Sequence, residues 1–581
     1  MWSRFQDSSD PTQVNRMAME VHSRRSSVSG RKNRRKVLSS ITHRCQTMER
    51  AEEEVKSAIR CFWPGVVPPP SELEAEYETL FTSDCLYFIY QLITTFEEEV
   101  DQVLYLRVST KAHLDQTGEL PGFRQDTAHI RNDPNWTVLP VPLDSRKDTW
   151  TLVDFDDGNC PTFHNQIKGI HNVWKAVHNQ FPDVPHISKA PVLMLRPRAW
   201  NMVEHNMMLE GKQVPGPLFD FGLLMFHCAK TLFESKSGPF FYLSKVESFM
   251  EARLWNKIFV WTQHKLGLPV GTIKATVLIE NVLAAFEMEE ILYELREHSA
   301  GLNCGIWDYS ASFVNKFGHR KAFLLPDRSK YVNMEKRFLR SYMDLLVQTC
   351  HRRGALATGG MVALLLPHDK HSQTHQTVLA TVTRLKLLEI KAGVDGFMVY
   401  DLNLIKPMQK LFEMHTQAEN QLHQLCKDVE VTPADLLSMP SGGVTINGLI
   451  YNIAVGVLFI NAWLSGKGHF FYRGQVEDSA TAEISRSQVW QWIRHQARLE
   501  DDDRVVSRQI VAALLTMVTK ELSIHCDSDG AKQQLQTAAD MFLQVVLKRD
   551  FPAFITTYLS EDHTFINSHQ SRWSNSAHSK L

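Results

Sequence analysis

Residues 271–309, GTIKATVLIENVLAAFEMEEILYELREHSAGLNCGIWDY, constrain the fold more tightly than any other stretch of the chain. Lys274–Ile279 is a short apolar, partly β-branched run that stops at Glu280, and residues 282–295 follow with helical spacing. A second short run, residues 302–307, stops at Asp308. The pattern is one βαβ repeat in which two parallel strands deliver a carboxylate at their C-terminal ends, where sheets of this kind open their active sites. Two hard oxygen ligands suit Mg²⁺, which commonly takes one or two carboxylates and leaves its other positions to water and substrate. The plainer alternative is that each acid caps the next helix or pairs with a nearby base such as Arg296.

The same alternation extends over much of the chain. Strand-like runs at 149–155, 191–196, 239–246, 274–280, 302–308, 355–365 and 395–400 are separated by helix-like ones, which implies parallel βα units. These are seven strands, whereas a closed (β/α)8 barrel needs eight. Residues 71–115 and 425–550 read as helical, the latter including 480–497 and 505–520. A chain of 581 residues exceeds one hydrophobic core, so smaller domains are expected beside the large one. The expected layout is a basic disordered extension over 1–60, a helical clasp and linker over 61–136 and a barrel over 137–424. A C-terminal helical domain over 425–550 and a tail over 551–581 complete it.

Composition narrows the function. A net charge of −2 gives no basic excess for nucleic acid. Nine scattered cysteines without a C-x-x-C argue for a reducing compartment and against disulfides or a zinc site; Cys304 reads as a small buried thiol. The apolar run 448–464 is short for a membrane span and carries Asn452 and Asn461, so a buried helix is expected. No signal-peptide core opens the chain, and the Arg- and Lys-rich cluster at 24–36 reads as a solvated arm. Ser579-Lys580-Leu581 matches the peroxisomal address read by an import receptor.

The segment Arg296-Glu297-His298-Ser299-Ala300-Gly301-Leu302-Asn303-Cys304-Gly305-Ile306-Trp307-Asp308-Tyr309 closely resembles the signature of the malate synthases, in their shorter A-type branch. The likeness continues through LRPRAWN (195–201), GPLFDFGLLMFHCAK (216–230), GPFFYLSKVESFMEARLWN (238–256), CHRRGALATGGM (350–361) and EDSATAEISRSQVWQWIRH (477–495). The resemblance implies a (β/α)8 TIM barrel clasped by an N-terminal helical segment and closed over its mouth by a C-terminal helical domain. It also agrees with a peroxisomal or glyoxysomal matrix enzyme. The family carries one more strand and helix just before the acidic strand end, here Asp154-Phe155-Asp156-Asp157. Either residues 137–142 supply the first strand, or the first βα unit is truncated.

The resemblance further implies a Claisen-type condensation of acetyl-CoA with the aldehyde of glyoxylate, driven by hydrolysis of malyl-CoA to malate and CoA. Glu280 and Asp308 match the family's two magnesium ligands, and the backbone of Gly305, Ile306, Trp307 and Asp308 its glyoxylate site; glycine at 305 permits close approach. Arg196 falls at the arginine that stabilises the enolate oxygen, with Arg198 the candidate for a structural salt bridge. Asp478 matches the base that deprotonates the thioester methyl; Glu477 and Glu483 are nearby alternatives, and an N-cap is the structural role open to Asp478. Asp154, Asp156 and Asp157 resemble acids that surround metal-bound water, and Lys245 and Glu247 line the pocket.

The chain departs from the family pattern at Ala199 and Asn201, at Ser310-Ala311, at 399–403, where a His-Pro-Gly loop contacting acetyl-CoA is usual, and at 469–474. A related CoA-thioester lyase or synthase with altered substrate, and a catalytically silent homologue, are the competing expectations. Oligomeric state is not legible in the sequence.

Overall fold

The computed structural model describes residues 71–142, 149–416 and 418–560. The basic arm and the terminal Ser579-Lys580-Leu581 therefore lie outside the described residues. Nine short runs in the first part of the chain form strands: β1 (Trp150–Asp154), β2 (Val192–Arg196), β3 (Val203–Leu209), β4 (Lys212–Pro215), β5 (Phe240–Leu243), β6 (Lys274–Ile279), β7 (Ser299–Cys304), β8 (Leu356–Val362) and β9 (Gly396–Val399). Strands β3 and β4 pair with each other as an antiparallel hairpin. The other seven form one parallel sheet in the order β1-β2-β5-β6-β7-β8-β9. All residues of β5, β6 and β7 are buried, as expected for strands covered on both faces.

The sheet curls into an incomplete barrel. Val192, Met194, Phe240, Tyr242 and Leu278 form an apolar cluster that takes in Trp150 and Leu152 of β1 at one edge and Met398 of β9 at the other. Among the described residues β1 and β9 pair with no common neighbour, so they remain the two edges of the sheet. Residues 137–142 do not supply an eighth strand. They lie extended under the starts of β6 to β8, where Val138 N donates to Arg353 O (2.9 Å), Leu139 N to Arg296 O (2.7 Å) and Lys274 Nζ to Leu139 O (3.0 Å). Their backbone groups are engaged by the barrel floor and are not offered to a sheet edge.

The helices that flank or clasp the sheet include α1 (Ser83–Thr117), α2 (Phe163–Val177), α3 (Gly216–Glu234), α4 (Phe249–Leu266), α5 (Met288–Glu294), α6 (Ile306–Phe317), α7 (Arg337–Arg352) and α8 (Gln373–Ala392). Two expectations need correction here. The strand placed at 302–308 is Ser299–Cys304, and Asp308 lies in the first turn of α6, where the helix dipole favours an acid. The helix expected over 282–295 is split into a 3-10 turn at Ala284–Phe286 and the short α5, with Glu287 between them out of helical geometry.

The long helix α1 packs across α3 and α4, and Arg107 anchors it through Glu251 (2.8 and 2.7 Å) and the carbonyl of Lys245 (2.6 Å). The C-terminal part is helical: α9 (Ile446–Leu464), then the hairpin β10 (His469–Tyr472) and β11 (Gln475–Asp478), then α10 (Ser479–Arg494), α11 (Arg508–Ser523) and α12 (Asp529–Leu547). Helix α9 is long and apolar enough to cross a membrane, but here it is the core of this layer. Trp463, Trp492 and Phe542 are fully buried around it. Gly456 is needed there, since a Cβ would stand 2.1 Å from the Phe542 ring. The layer joins the barrel where Leu365 N donates to Gly474 O (3.0 Å) and Val476 N to Ala363 O (2.9 Å), just beyond β8. Helix α10 packs along α6.

Candidate active site

Glu280 follows β6, is buried, and accepts the backbone N–H of Lys245 (2.5 Å). Gly305, between β7 and α6, closes against it: a Cβ there would lie 3.0 Å from Glu280 Cβ and 3.2 Å from Oε2. The two strand ends are clipped together by Tyr342 of α7, whose hydroxyl accepts Gly305 N–H (3.0 Å) and donates to Ile279 O. Asp308, one helical turn on, makes no hydrogen bond or ion pair among the described residues. Burial, and then the charge of Glu280, push its carboxyl well above the ordinary carboxylate range. Burial likewise raises Glu280.

Beside this pair is a buried charge cluster. Lys245 stands in the left-handed region (φ 52°) just past β5 and reaches Asp156 Oδ2 (3.0 Å) and Asp157 Oδ2 (2.9 Å) with its ammonium. Asp156 also accepts Ser244 Oγ–H (2.8 Å) and Ala199 N–H (3.1 Å), and Lys245 holds its carboxyl at about 2 against the opposing cost of burial. Burial and the neighbouring Asp156 push Asp157 up to about 7. Thr556, from the segment after α12, donates to Asp157 Oδ2 (3.2 Å). Glu247 pairs with Lys316 (2.7 Å).

Arg196, at the end of β2, is held by Asp154 through Nε–H to Oδ1 (2.7 Å) and a second bond from Nη2 to Oδ2. Its charge acts on Asp478, Glu280 and Asp156 alike. Arg198 is structural, buried against Asp220 (2.8 Å) and Glu204 (3.0 Å). Asp478 caps α10, its Oδ1 accepting Ala480 N (3.0 Å) and Thr481 N (3.4 Å), while among the described residues Oδ2 takes part in no hydrogen bond. Burial raises its carboxyl, and Arg196 partly offsets the rise. The two alternative acids are committed elsewhere: Glu477 accepts Tyr451 O–H and Gln475 Nε2 (2.6 Å), and Glu483 accepts Ile555 N–H (2.9 Å) and Arg486.

The four residues singled out in the sequence are linked electrostatically: the charge of Glu280 acts on Asp308, and the charge of Arg196 acts on both Glu280 and Asp478. Among the described residues no group of three or more His, Cys, Asp and Glu side chains forms a metal cage. A two-carboxylate site still fits Mg²⁺, because Asp308 has no hydrogen-bond or ion-pair partner among the described residues and lies within electrostatic reach of a second acid, Glu280, so a bound cation would favour the charged form of the pair. The sequence did not single out Tyr342 or Thr556; each acts from a distant helix, and only a tyrosine on the inner stripe of α7 hints at the first. The departures at 399–403 and 469–474 meet in space, with Tyr400 stacked edge-on near Phe471 (5.8 Å) and His469 (6.0 Å).

Comparison with known proteins identifies the family. The family description "Malate synthase, TIM barrel domain" matches residues 192–439, and "Malate synthase, C-terminal" matches 443–562. The chain is similar to malate synthase of Myxococcus xanthus, 39% identical over 85% of this chain and 96% of that one. It is also similar to that of Dictyostelium discoideum, at 37% over 84% and 95%, and to the glyoxysomal malate synthase of Candida tropicalis, at 34% over 84% and 94%. A magnesium/glyoxylate complex of Haloferax volcanii malate synthase covers 68% of this chain and 90% of its own at 13% identity, but its TM-score of 0.33 is too low to transfer residue roles.

Proposed function

The chain belongs to the malate synthase family, and from that premise we propose how its residues condense acetyl-CoA with glyoxylate and water to malate and CoA. The enzyme is an acyltransferase in which the acyl group becomes alkyl on transfer. What supports the assignment of roles is the electrostatic reach of Glu280 to Asp308 and of Arg196 to Glu280 and Asp478, from the ends of β2 and β6, the first turn of α6 and the start of α10.

Glu280 and Asp308 would hold Mg²⁺, which when bound polarises the aldehyde of glyoxylate. The backbone of Gly305 to Asp308 lies against that site, with Gly305 leaving room beside Glu280. Asp478 takes the methyl proton of acetyl-CoA on Oδ2, the oxygen left free by the cap. Its raised carboxyl makes it a stronger base than an exposed aspartate, and a positioned base supplies about 10²–10⁴-fold. Arg196 stabilises the enolate oxygen that forms as the proton leaves. Asp154 fixes its guanidinium in one orientation, so no reorganisation is needed when charge develops. The Lys245–Asp156–Asp157 cluster orders the rim beside the metal ligands, since Lys245 N–H holds Glu280 while its ammonium holds both aspartates. Attack of the enolate carbon on the aldehyde gives malyl-CoA, and water then cleaves the thioester.

The helical layer that begins near residue 425 is the part that brings the base to the barrel mouth, and residues 137–424 are the barrel that carries the other three groups. Relatives from Candida tropicalis, Cucumis sativus and Gossypium hirsutum are named glyoxysomal, while others are bacterial, and the eukaryotic names support a peroxisome-type compartment for this chain. Ser579-Lys580-Leu581 would address this chain to the same compartment through the import receptor. The deciding experiment is thiol release from acetyl-CoA. Release that requires both glyoxylate and Mg²⁺ supports the reading, and a folded protein without it refutes the reading.

A further inference from the structure

We propose that Arg328, Tyr451 and Glu477 form a positioning chain that fixes Asp478 relative to the Gly305–Asp308 loop. The inference rests on the reading of Asp478 as the base. Arg328 opens a short helical turn, Arg328–Tyr331, and is 5% exposed, yet it makes no ion pair among the described residues. Its acceptors are neutral: Asn452 Oδ1 (3.1 Å) and Ser485 Oγ (3.1 Å), both from the helical layer. Burial outweighs the attraction of the Glu477, Asp327 and Asp478 carboxylates for this guanidinium, so its position carries a net cost to the fold. Its placement explains what it is there for. The guanidinium stacks on both the Trp307 ring (5.0 Å to the centroid) and the Tyr451 ring (5.4 Å).

Each end of that stack leads to one side of the reaction. Trp307 immediately precedes Asp308 in the first turn of α6. Tyr451 donates its hydroxyl hydrogen to Glu477 Oε1, and Gln475 Nε2 ties the two together, 2.6 Å from each. Glu477 is fully buried, its Oε2 has no partner, and it is the residue before Asp478 on β11. Successive strand residues point to opposite faces, so anchoring Glu477 inward sets the direction in which Asp478 leaves the strand. The link therefore runs Trp307, Arg328, Tyr451, Glu477, Asp478, from the barrel loop to the hairpin. A displacement of about 1 Å between reacting groups costs on the order of 10²-fold in rate, so a tether of this kind has a catalytic consequence without touching substrate.

The test compares Tyr451→Phe, which keeps the ring under Arg328 and removes only the hydroxyl, with Glu477→Gln, which keeps an acceptor for that hydroxyl. Steady-state constants, the primary isotope effect on kcat with trideuteroacetyl-CoA, and amide hydrogen exchange over residues 469–478 are measured for each. Tyr451→Phe is expected to lower kcat about tenfold, part of the misplacement cost above. It should also raise the isotope effect as proton abstraction becomes limiting, leave KM for glyoxylate unchanged, and speed exchange in β11. Glu477→Gln is expected to retain most of the activity. An unchanged kcat and isotope effect in Tyr451→Phe overturns the proposal, as does a loss of rate explained wholly by a lower Tm with no change in the isotope effect. If the wild-type chain releases no thiol with glyoxylate, it is the condensation reading that fails. The tether is then decided by exchange alone, and undiminished protection of residues 475–478 in Tyr451→Phe overturns it.

Discussion

Replacing Asp478 by asparagine separates the two things this side chain does. Asp478 caps α10 through Oδ1, which accepts from Ala480 N and Thr481 N, and leaves Oδ2 free. Asparagine caps a helix about as well as aspartate, so the change in stability is expected to stay within a few tenths of a kcal/mol. The amide cannot accept the methyl proton, so kcat should fall by about 10²–10⁴-fold, equivalent to about 3–5.5 kcal/mol of lost transition-state stabilisation. The pH sign supports the choice of variant. Because burial raises the folded-state carboxyl, its protonated form is favoured, and that contribution to stability is present below the unfolded value and lost as pH rises through the folded one. At neutral pH Asp478→Asn should therefore be no less stable than the wild type. Asp478→Ala removes the cap as well and should cost about 1 kcal/mol more. Thiol-release kinetics and urea midpoints for the three proteins decide it. A kcat for Asp478→Asn within tenfold of the wild type, or a loss that tracks only the fraction unfolded, would refute the assignment of the base.

Three further outcomes follow from the same geometry. Glu280→Gln should abolish the rise in Tm on adding Mg²⁺, which for the wild type at 100 times Kd corresponds to about 2.7 kcal/mol; an undiminished rise, followed by calorimetry, excludes Glu280 as a ligand. Asp157, raised to about 7 by burial and by Asp156, contributes stability that is present below pH 4 and lost as pH climbs towards 7. Urea midpoints should therefore decline over that range in the wild type and decline less in Asp157→Asn. Arg196→Lys cannot reproduce the two-point contact with Asp154, and should lower kcat by about 10²-fold with little change in KM for glyoxylate; a variant with kcat above a third of the wild type would show that charge alone suffices.

Much of the barrel was legible in residues that are apolar on both faces. Lys274–Ile279 and the runs around Val192 and Phe240 are mostly apolar because parallel strands are covered on both sides. The end of β7 was misjudged for a local reason. Residues 302–308 read as one run, but Gly305 breaks it, and Ile306 and Trp307 are apolar because they start a helix that packs under the C-terminal layer. The role of residues 137–142 was undecidable from pattern, since an extended segment bonded to Arg353 and Arg296 carbonyls has the same composition as an edge strand.

The residue types able to do the chemistry, an arginine at a strand end and acids spaced along βα repeats, are written in the chain, because each is dictated by its own short segment. What those acids are free to do depends on contacts between segments far apart. Among the described residues Asp308 lacks a partner, Glu477 is tied to Tyr451, Glu483 to Ile555 and Arg486, and Lys245 pairs with Asp156 and Asp157. Whether a carboxylate is a ligand, a base or a strut is settled by which donors reach it through a buried, low-dielectric space, and only the folded chain brings those donors within range.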